Sequence, residues 1–148
     1  MEILYHIDCA AWLIKPENPV SAEIRPIACP GDYDQWLVMF RDRNPNYTIT
    51  LADWCKWISA ESTECIYYGA FVSGRMVSVA SIEKYSPDRW ETAAVRTLIS
   101  ERGNGYAKLL CYEVTKKILE SGKTATARTE EDNFPMQRVL AALGFVEI

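Results

Sequence analysis

The chain has one histidine, no Cys-x-x-Cys pair, no excess of basic residues and no long apolar run. Each shortage removes a class of function. With His6 alone, a multi-histidine metal centre has no ligands. A Ser-His-Asp arrangement would have to recruit this one imidazole near the chain start, so His6 reads as structural or surface and no metal is expected. Lys and Arg number 16 against 20 Asp and Glu, a net charge of −4, whereas nucleic-acid binders usually carry a basic face. No nucleic-acid partner is therefore expected, while a cationic amine suits the balance. No apolar stretch approaches the roughly 18 residues of a membrane span, and residues 1–8 are acidic where a signal peptide is basic. No membrane partner and a cytoplasmic location follow as expectations. Cysteines 9, 29, 55, 65 and 111 are odd in number and irregularly spaced, which reads as reduced thiols.

What is present suits one globular domain over residues 1–148, with 49% hydrophobic and 24% charged residues. Residues 2–7 form a candidate strand and 10–14 an apolar helical turn, before Pro16 and the Asn18-Pro19 pair break the chain. Residues 22–28 read as a strand, at an edge or a bulge because of Pro26. Asp32 can cap a helix over 32–43 whose Tyr33, Trp36, Leu37 and Phe40 recur at helical spacing. Thr50 and Asp53 make a short-acid capping box for a second helix with Leu51, Trp54 and Ile58 on one stripe. Runs 65–72 and 75–84 are β-rich and meet at Ser73-Gly74, a hairpin. A strand over 90–99 follows, on which simple alternation places Glu91, Ala93, Val95 and Thr97 on one face.

The stretch around which the chain is organised spans residues 95–107. A strand enters a loop bearing Gly103 and Gly105, and the loop opens directly into a helix. That helix carries Ala107, Leu110, Cys111, Val114 and Ile118 on a single stripe and stops at Gly122. Glycines let a ligand approach the backbone closely, and the free N–H groups of a helix's first turn favour an anion. The physical reading is a phosphate cradle of backbone. It is not a P-loop, which needs Gly-Lys-Ser/Thr, and not a dinucleotide loop, whose third glycine is replaced by Lys108. Beyond it, 124–129 reads as a strand, Asp132 or Asn133 caps a last helix ending at Gly144, and 145–148 as a closing strand.

Arg102-x-x-Gly105-x-Ala107 resembles the Gln/Arg-x-x-Gly-x-Gly/Ala signature of the GNAT superfamily of acyl-CoA-dependent N-acyltransferases. The element order over roughly residues 22–148 is similar, as are the end piece from Asn133 to Gly144-Phe145 and the spacing from Glu91 to Arg102. The resemblance implies a GNAT fold of the α+β or α/β class: a central mixed, mostly antiparallel twisted sheet flanked by about four helices. It implies acetyl-CoA as acyl donor and a primary amine, small molecule or peptide, as acceptor. The backbone of Arg102, Gly103, Asn104, Gly105, Tyr106 and Ala107 would hold the coenzyme A pyrophosphate. Val95 and Thr97 would pair with the pantetheine arm, and Asn133 would offer it an amide or serve only as a helix cap. The Val95 N–H would polarise the thioester carbonyl. Glu91 would be the general base, through water because it lies about 13 Å along the strand from Val95. The competing reading is a glutamate paired with Arg75 or Arg89.

Two departures from the family pattern stand out. The tyrosine that many members place on the last helix as general acid is Leu140 here, and only 145–148 remain where two strands usually follow. Residues 2–7 are expected to fill the resulting gap beside 145–148, from the same chain or from a partner in a homodimer. Tyr47, Trp54, Trp57, Tyr67 and Tyr68 are candidate acceptor walls or core, and Asp53 and Glu64 candidate contacts for an ammonium. The alternative to an acetyltransferase is a non-catalytic acyl-CoA-binding sensor or interaction module that keeps the cradle.

Overall fold

A computed structural model describes residues 1–17, 21–61 and 64–148. The Asn18-Pro19 part of the predicted break lies outside them. Seven strands make one sheet in the order β2-β3-β4-β5-β6-β1-β7, comprising β1 (Glu2–Ile7), β2 (Glu23–Pro26), β3 (Cys65–Val72), β4 (Arg75–Glu83), β5 (Arg89–Thr97), β6 (Thr124–Glu130) and β7 (Val146–Glu147). Among the described residues four α-helices flank it: α1 (Tyr33–Arg41), α2 (Leu51–Glu61), α3 (Tyr106–Glu120) and α4 (Phe134–Leu143). Every neighbouring pair is antiparallel except β5 and β6, which run parallel.

The local signals act as chemistry requires. Thr50 Oγ1 accepts the Asp53 amide at 3.1 Å and starts α2. Asn133 Oδ1 accepts the Met136 amide at 3.3 Å and starts α4, whose Pro135 sits in the first turn where its missing N–H costs nothing. Ser73 and Gly74 take positive φ, 50° and 77°, in the hairpin between β3 and β4. Pro26 lies on edge strand β2. Asp32 precedes α1 without a side-chain cap; its carboxylate serves Arg25 and the Ala28 amide instead.

Two cores lie on the two faces of the sheet. Leu110, Cys111, Val114 and Ile118 of α3, with Leu140 and Leu143 of α4, pack on Tyr68, Ala80, Ile82, Ala125 and Ala127. On the opposite face, Trp36 and Met39 of α1 and Trp54 of α2 pack on Phe71, Met76 and Val79. Burying the Leu, Ile, Val, Phe and Met side chains among them is worth about 1.5–3 kcal/mol each.

The amino-terminal strand β1 lies between β6 and β7 of its own chain, pairing Leu4 with Arg128 and His6 with Val146. Ile14 N–H donates to the Leu143 carbonyl at 2.9 Å, tying this segment to the end of α4. The expectation of reduced thiols is corrected at one pair. Cys29 and Cys55, 26 residues apart in sequence, form a disulfide with Cα atoms 5.3 Å apart. Packing of α2 against the loop after β2 brings them together, which spacing along the chain does not reveal. Cys9, Cys65 and Cys111 are outside any disulfide, and burial pushes the Cys111 thiol up to about 12, so it is inert as a nucleophile. Among the described residues no helix is long and apolar enough to cross a membrane, and no three His, Cys, Asp or Glu are grouped to hold a metal ion.

Candidate active site

The glycine loop has the conformation its sequence requires. Gly103 and Gly105 adopt φ of 82° and 84°, the left-handed region, and Gly105 is the N-cap of α3. The first intrahelical donor is the Leu109 amide, which reaches the Gly105 carbonyl at 3.0 Å. The N–H groups of Tyr106, Ala107 and Lys108 therefore lie in the helix's first turn with no carbonyl behind them. They border a cleft of about 620 Å³, a volume within the range that drug-sized ligands occupy.

The other wall of this cleft is made where β5 and β6 part. Their parallel pairing runs only from Arg89–Thr124 to Glu91–Thr126, after which each strand continues without the other. On its far edge β5 is irregular. Val79 of β4 faces Arg96 and Ser81 faces Ala93, so two steps on β4 match three on β5. Ala94 takes φ 53° within this bulge, and Val95 faces no residue of β4. The backbone around Val95 is thus open to an extended ligand lying between the strands.

The bulge corrects the predicted face assignment. Alternation along an unbroken strand would put Glu91, Ala93, Val95 and Thr97 together. One extra residue reverses the parity beyond Ala93. Glu91 and Ala93 face the α1–α2 side with Arg96, whose guanidinium lies 4.4 Å from the centre of the Phe40 ring. Val95 packs toward α3, and Thr97 Oγ1 lies 2.9 Å from Ser78 Oγ. Glu91 and Val95 sit on opposite faces of the sheet.

The cleft brings together Val95, Thr97, Arg102, Gly103, Gly105, Tyr106, Ala107 and Asn133. Glu91 and Asn104 do not line it; Asn104 Nδ2 donates to the Glu101 carbonyl at 3.2 Å. Asn133 both borders the cleft and caps α4. Three cations not predicted as site residues join Arg102 at its edge: Arg43, Arg96 and Lys108. Only Lys108 could have been found from sequence, because it lies inside the first turn of α3; Arg43 follows α1, where Asp42 accepts the Ile99 amide at 2.7 Å beside the glycine loop.

Glu91 is buried at 7% exposure and receives a hydrogen bond from Arg128 Nε at its Oε1, 2.9 Å away. Arg75 instead pairs with Glu101 at 2.6 Å. The hydrogen bond and the charge of Glu91 raise the pKa of Arg128. Beside this pair, the Tyr85 hydroxyl lies 2.9 Å from Thr126 Oγ1. On the same sheet face as Glu91, the buried Ser81 Oγ has no hydrogen-bond partner among the described residues.

The aromatic candidates divide. Trp54 is fully buried and Tyr68 belongs to the α3-side core, so both are core residues. Tyr47, Trp57 and Tyr67 are half-buried around Trp36, whose Nε1 donates to the Tyr47 hydroxyl at 3.0 Å. Asp53 and Glu64 are exposed. Leu140 is fully buried in the core and offers no proton donor.

A family model described as the acetyltransferase (GNAT) family matches residues 31–145. No curated protein sequence matches the chain. Among solved structures, the fold is similar to an acetyltransferase of the GNAT family from Colwellia psychrerythraea, at 18% identity and a TM-score of 0.72, covering 99% of this chain and 52% of that one. It is similar to a GCN5-related N-acetyltransferase from Kribbella flavida, at 19% identity and a TM-score of 0.70, covering 98% and 53%. A third, AAC(6')-Iy in complex with the bisubstrate analogue CoA-S-monomethyl-acetylneamine, shares 20% identity with a TM-score of 0.69, covering 86% of this chain and 92% of that one. The chain spans about half the length of the first two.

Proposed function

The chain belongs to the GNAT acetyltransferase family, and from that premise we propose that it is an N-acetyltransferase, moving an acetyl group from acetyl-CoA to a primary amine by direct attack. The observation that carries this reading is the cleft: a backbone cradle on one wall and the bulged, unpaired edge of β5 on the other.

The donor set fits coenzyme A. A pyrophosphate suits the first-turn N–H groups of α3 beside Gly103 and Gly105, and Arg43, Arg102 and Lys108 supply charge for a polyanion. Val95 and Thr97 would pair with the pantetheine arm, Asn133 would donate its amide to it, and acetyl-CoA supplies the activated acyl group. The Val95 N–H would face the position where negative charge grows on the thioester oxygen.

An alkyl ammonium must lose a proton before it attacks, since its pKa lies near 10. Glu91 takes that proton through water. The unpartnered Ser81 hydroxyl on the same face provides a second anchor for such a water, which needs two or more polar partners. Nitrogen then bonds to the acetyl carbon, the carbon–sulfur bond breaks, and the thiolate, a weak base near pKa 8.5 if it resembles cysteine, takes its proton from solvent. With Leu140 in the core, no side chain of α4 is assigned to that last step.

The test is release of coenzyme A thiol from acetyl-CoA against a panel of amines, with coenzyme A binding measured by calorimetry. Binding with amine-dependent release supports the transferase. Binding without release over a broad panel assigns the chain to the sensor reading, and absence of binding removes both.

A further inference from the structure

The transferase reading leaves the acceptor open, and the surroundings of Glu91 narrow it. Resting on that reading, we infer that the acceptor is a free α-amino acid, held as a zwitterion with its amino group at Glu91 and its carboxylate at Arg128.

Arg128 engages Glu91 through Nε alone, at 2.9 Å. Among the described residues its two terminal nitrogens make no hydrogen bond, and its side chain is 47% exposed against 10% for Glu91. A guanidinium edge with two parallel donors matches a carboxylate in a bidentate pair, which a lysine cannot reproduce. Glu91 likewise commits only Oε1, leaving Oε2 for the amine or its relay water. The site therefore presents an anion and a cation side by side, and an α-amino acid carries the complementary charges one carbon apart.

Other groups surround the pair. Thr126 stands opposite Glu91 in the β5–β6 register, and its hydroxyl fixes that of Tyr85, whose ring is half-exposed beside it. Glu2 adds negative potential at Arg128 without a hydrogen bond to it, so the terminal nitrogens stay available to an incoming carboxylate. An acceptor without a carboxylate would leave the guanidinium unanswered. One with a second ammonium near the first would meet repulsion from it.

The experiment titrates the full chain, with coenzyme A bound, against each of the common L-amino acids, their α-amides and their decarboxylated amines. The expected result is that at least one amino acid binds, tenfold or more tightly than its matched amide and amine. Arg128→Gln should abolish that preference, Arg128→Lys should recover it only in part, and coenzyme A binding should be unchanged in both. Equal binding of acid and amide, or no amino acid binding at all, overturns the inference. Thiol release is scored separately: an amine without a carboxylate that binds and turns over keeps the transferase reading and rejects this acceptor. Amino acid binding without release keeps the amino-acid site at Glu91 and Arg128 but rejects both the transferase reading and the acceptor role.

Discussion

Arg25 grips Asp32 with both terminal nitrogens, Nη1 to Oδ2 at 2.7 Å and Nη2 to Oδ1 at 2.9 Å, and the Ala28 amide adds a third bond at 2.7 Å. The pair joins edge strand β2 to the start of α1 and holds the loop that carries Cys29. Burial pushes the Asp32 carboxyl up, but the hydrogen bonds and charge of Arg25 with the Ala28 amide outweigh it. The net effect holds the group below the usual carboxylate range.

A lowered folded-state pKa means stability that is fully present above the unfolded value of about 3.9 and is lost as pH falls through the folded one. Stability measured by urea unfolding should therefore drop on acidification below about pH 4. Asp32→Asn should cost about 1.5–3 kcal/mol at pH 7, the worth of hydrogen bonds to a charged group, and should flatten that acid limb.

Glu91→Gln should lower acetyl transfer roughly 10²–10⁴-fold, the range for loss of a general base. Coenzyme A affinity by calorimetry should stay within a factor of two or so of the native value, because Glu91 does not line the cleft. A variant that loses both would place Glu91 in ligand binding instead.

Gly103→Ala should weaken coenzyme A binding and cost about 1–2 kcal/mol of stability. Its φ of 82° strains any residue with a Cβ, although no atom lies within 4 Å of the added carbon. Thermal unfolding with and without coenzyme A separates the two effects.

Thr92 of β5 and Thr115 of α3 share a buried hydroxyl–hydroxyl contact of 2.9 Å. Thr115→Val leaves the Thr92 hydroxyl unanswered and should cost about 1–3 kcal/mol. The double replacement of Thr92 and Thr115 by Val should cost less than the sum of the two single changes, which a double-mutant cycle in urea measures.

Reduction of the Cys29–Cys55 bridge, whose cysteines are 26 residues apart, should lower stability by about 3.5 kcal/mol if chain entropy sets its worth. Unfolding with and without dithiothreitol checks this, and Cys29→Ser/Cys55→Ser should match the reduced chain.

By itself the sequence determined the parts whose causes are local. The left-handed backbone of Gly103 and Gly105 before α3 was legible because glycine takes positive φ without a Cβ penalty. The β3–β4 hairpin, the Thr50 and Asn133 caps and the stripe of α3 were legible because neighbours a few residues apart decide them. Tertiary structure alone decided which groups meet. The face that Val95 shares depends on a bulge at Ala94, and two adjacent alanines carry no sign that β4 will skip a residue opposite them. Arg128 becomes the partner of Glu91, 37 positions away, only because β5 and β6 run parallel for three residue pairs before they part. The Cys29–Cys55 bridge and the approach of Arg43 to the cleft depend in the same way on packing between distant segments. Alternation, capping and turn chemistry act over a few residues, whereas parity across a sheet and the partner of a buried charge are set by strands that sequence spacing does not order.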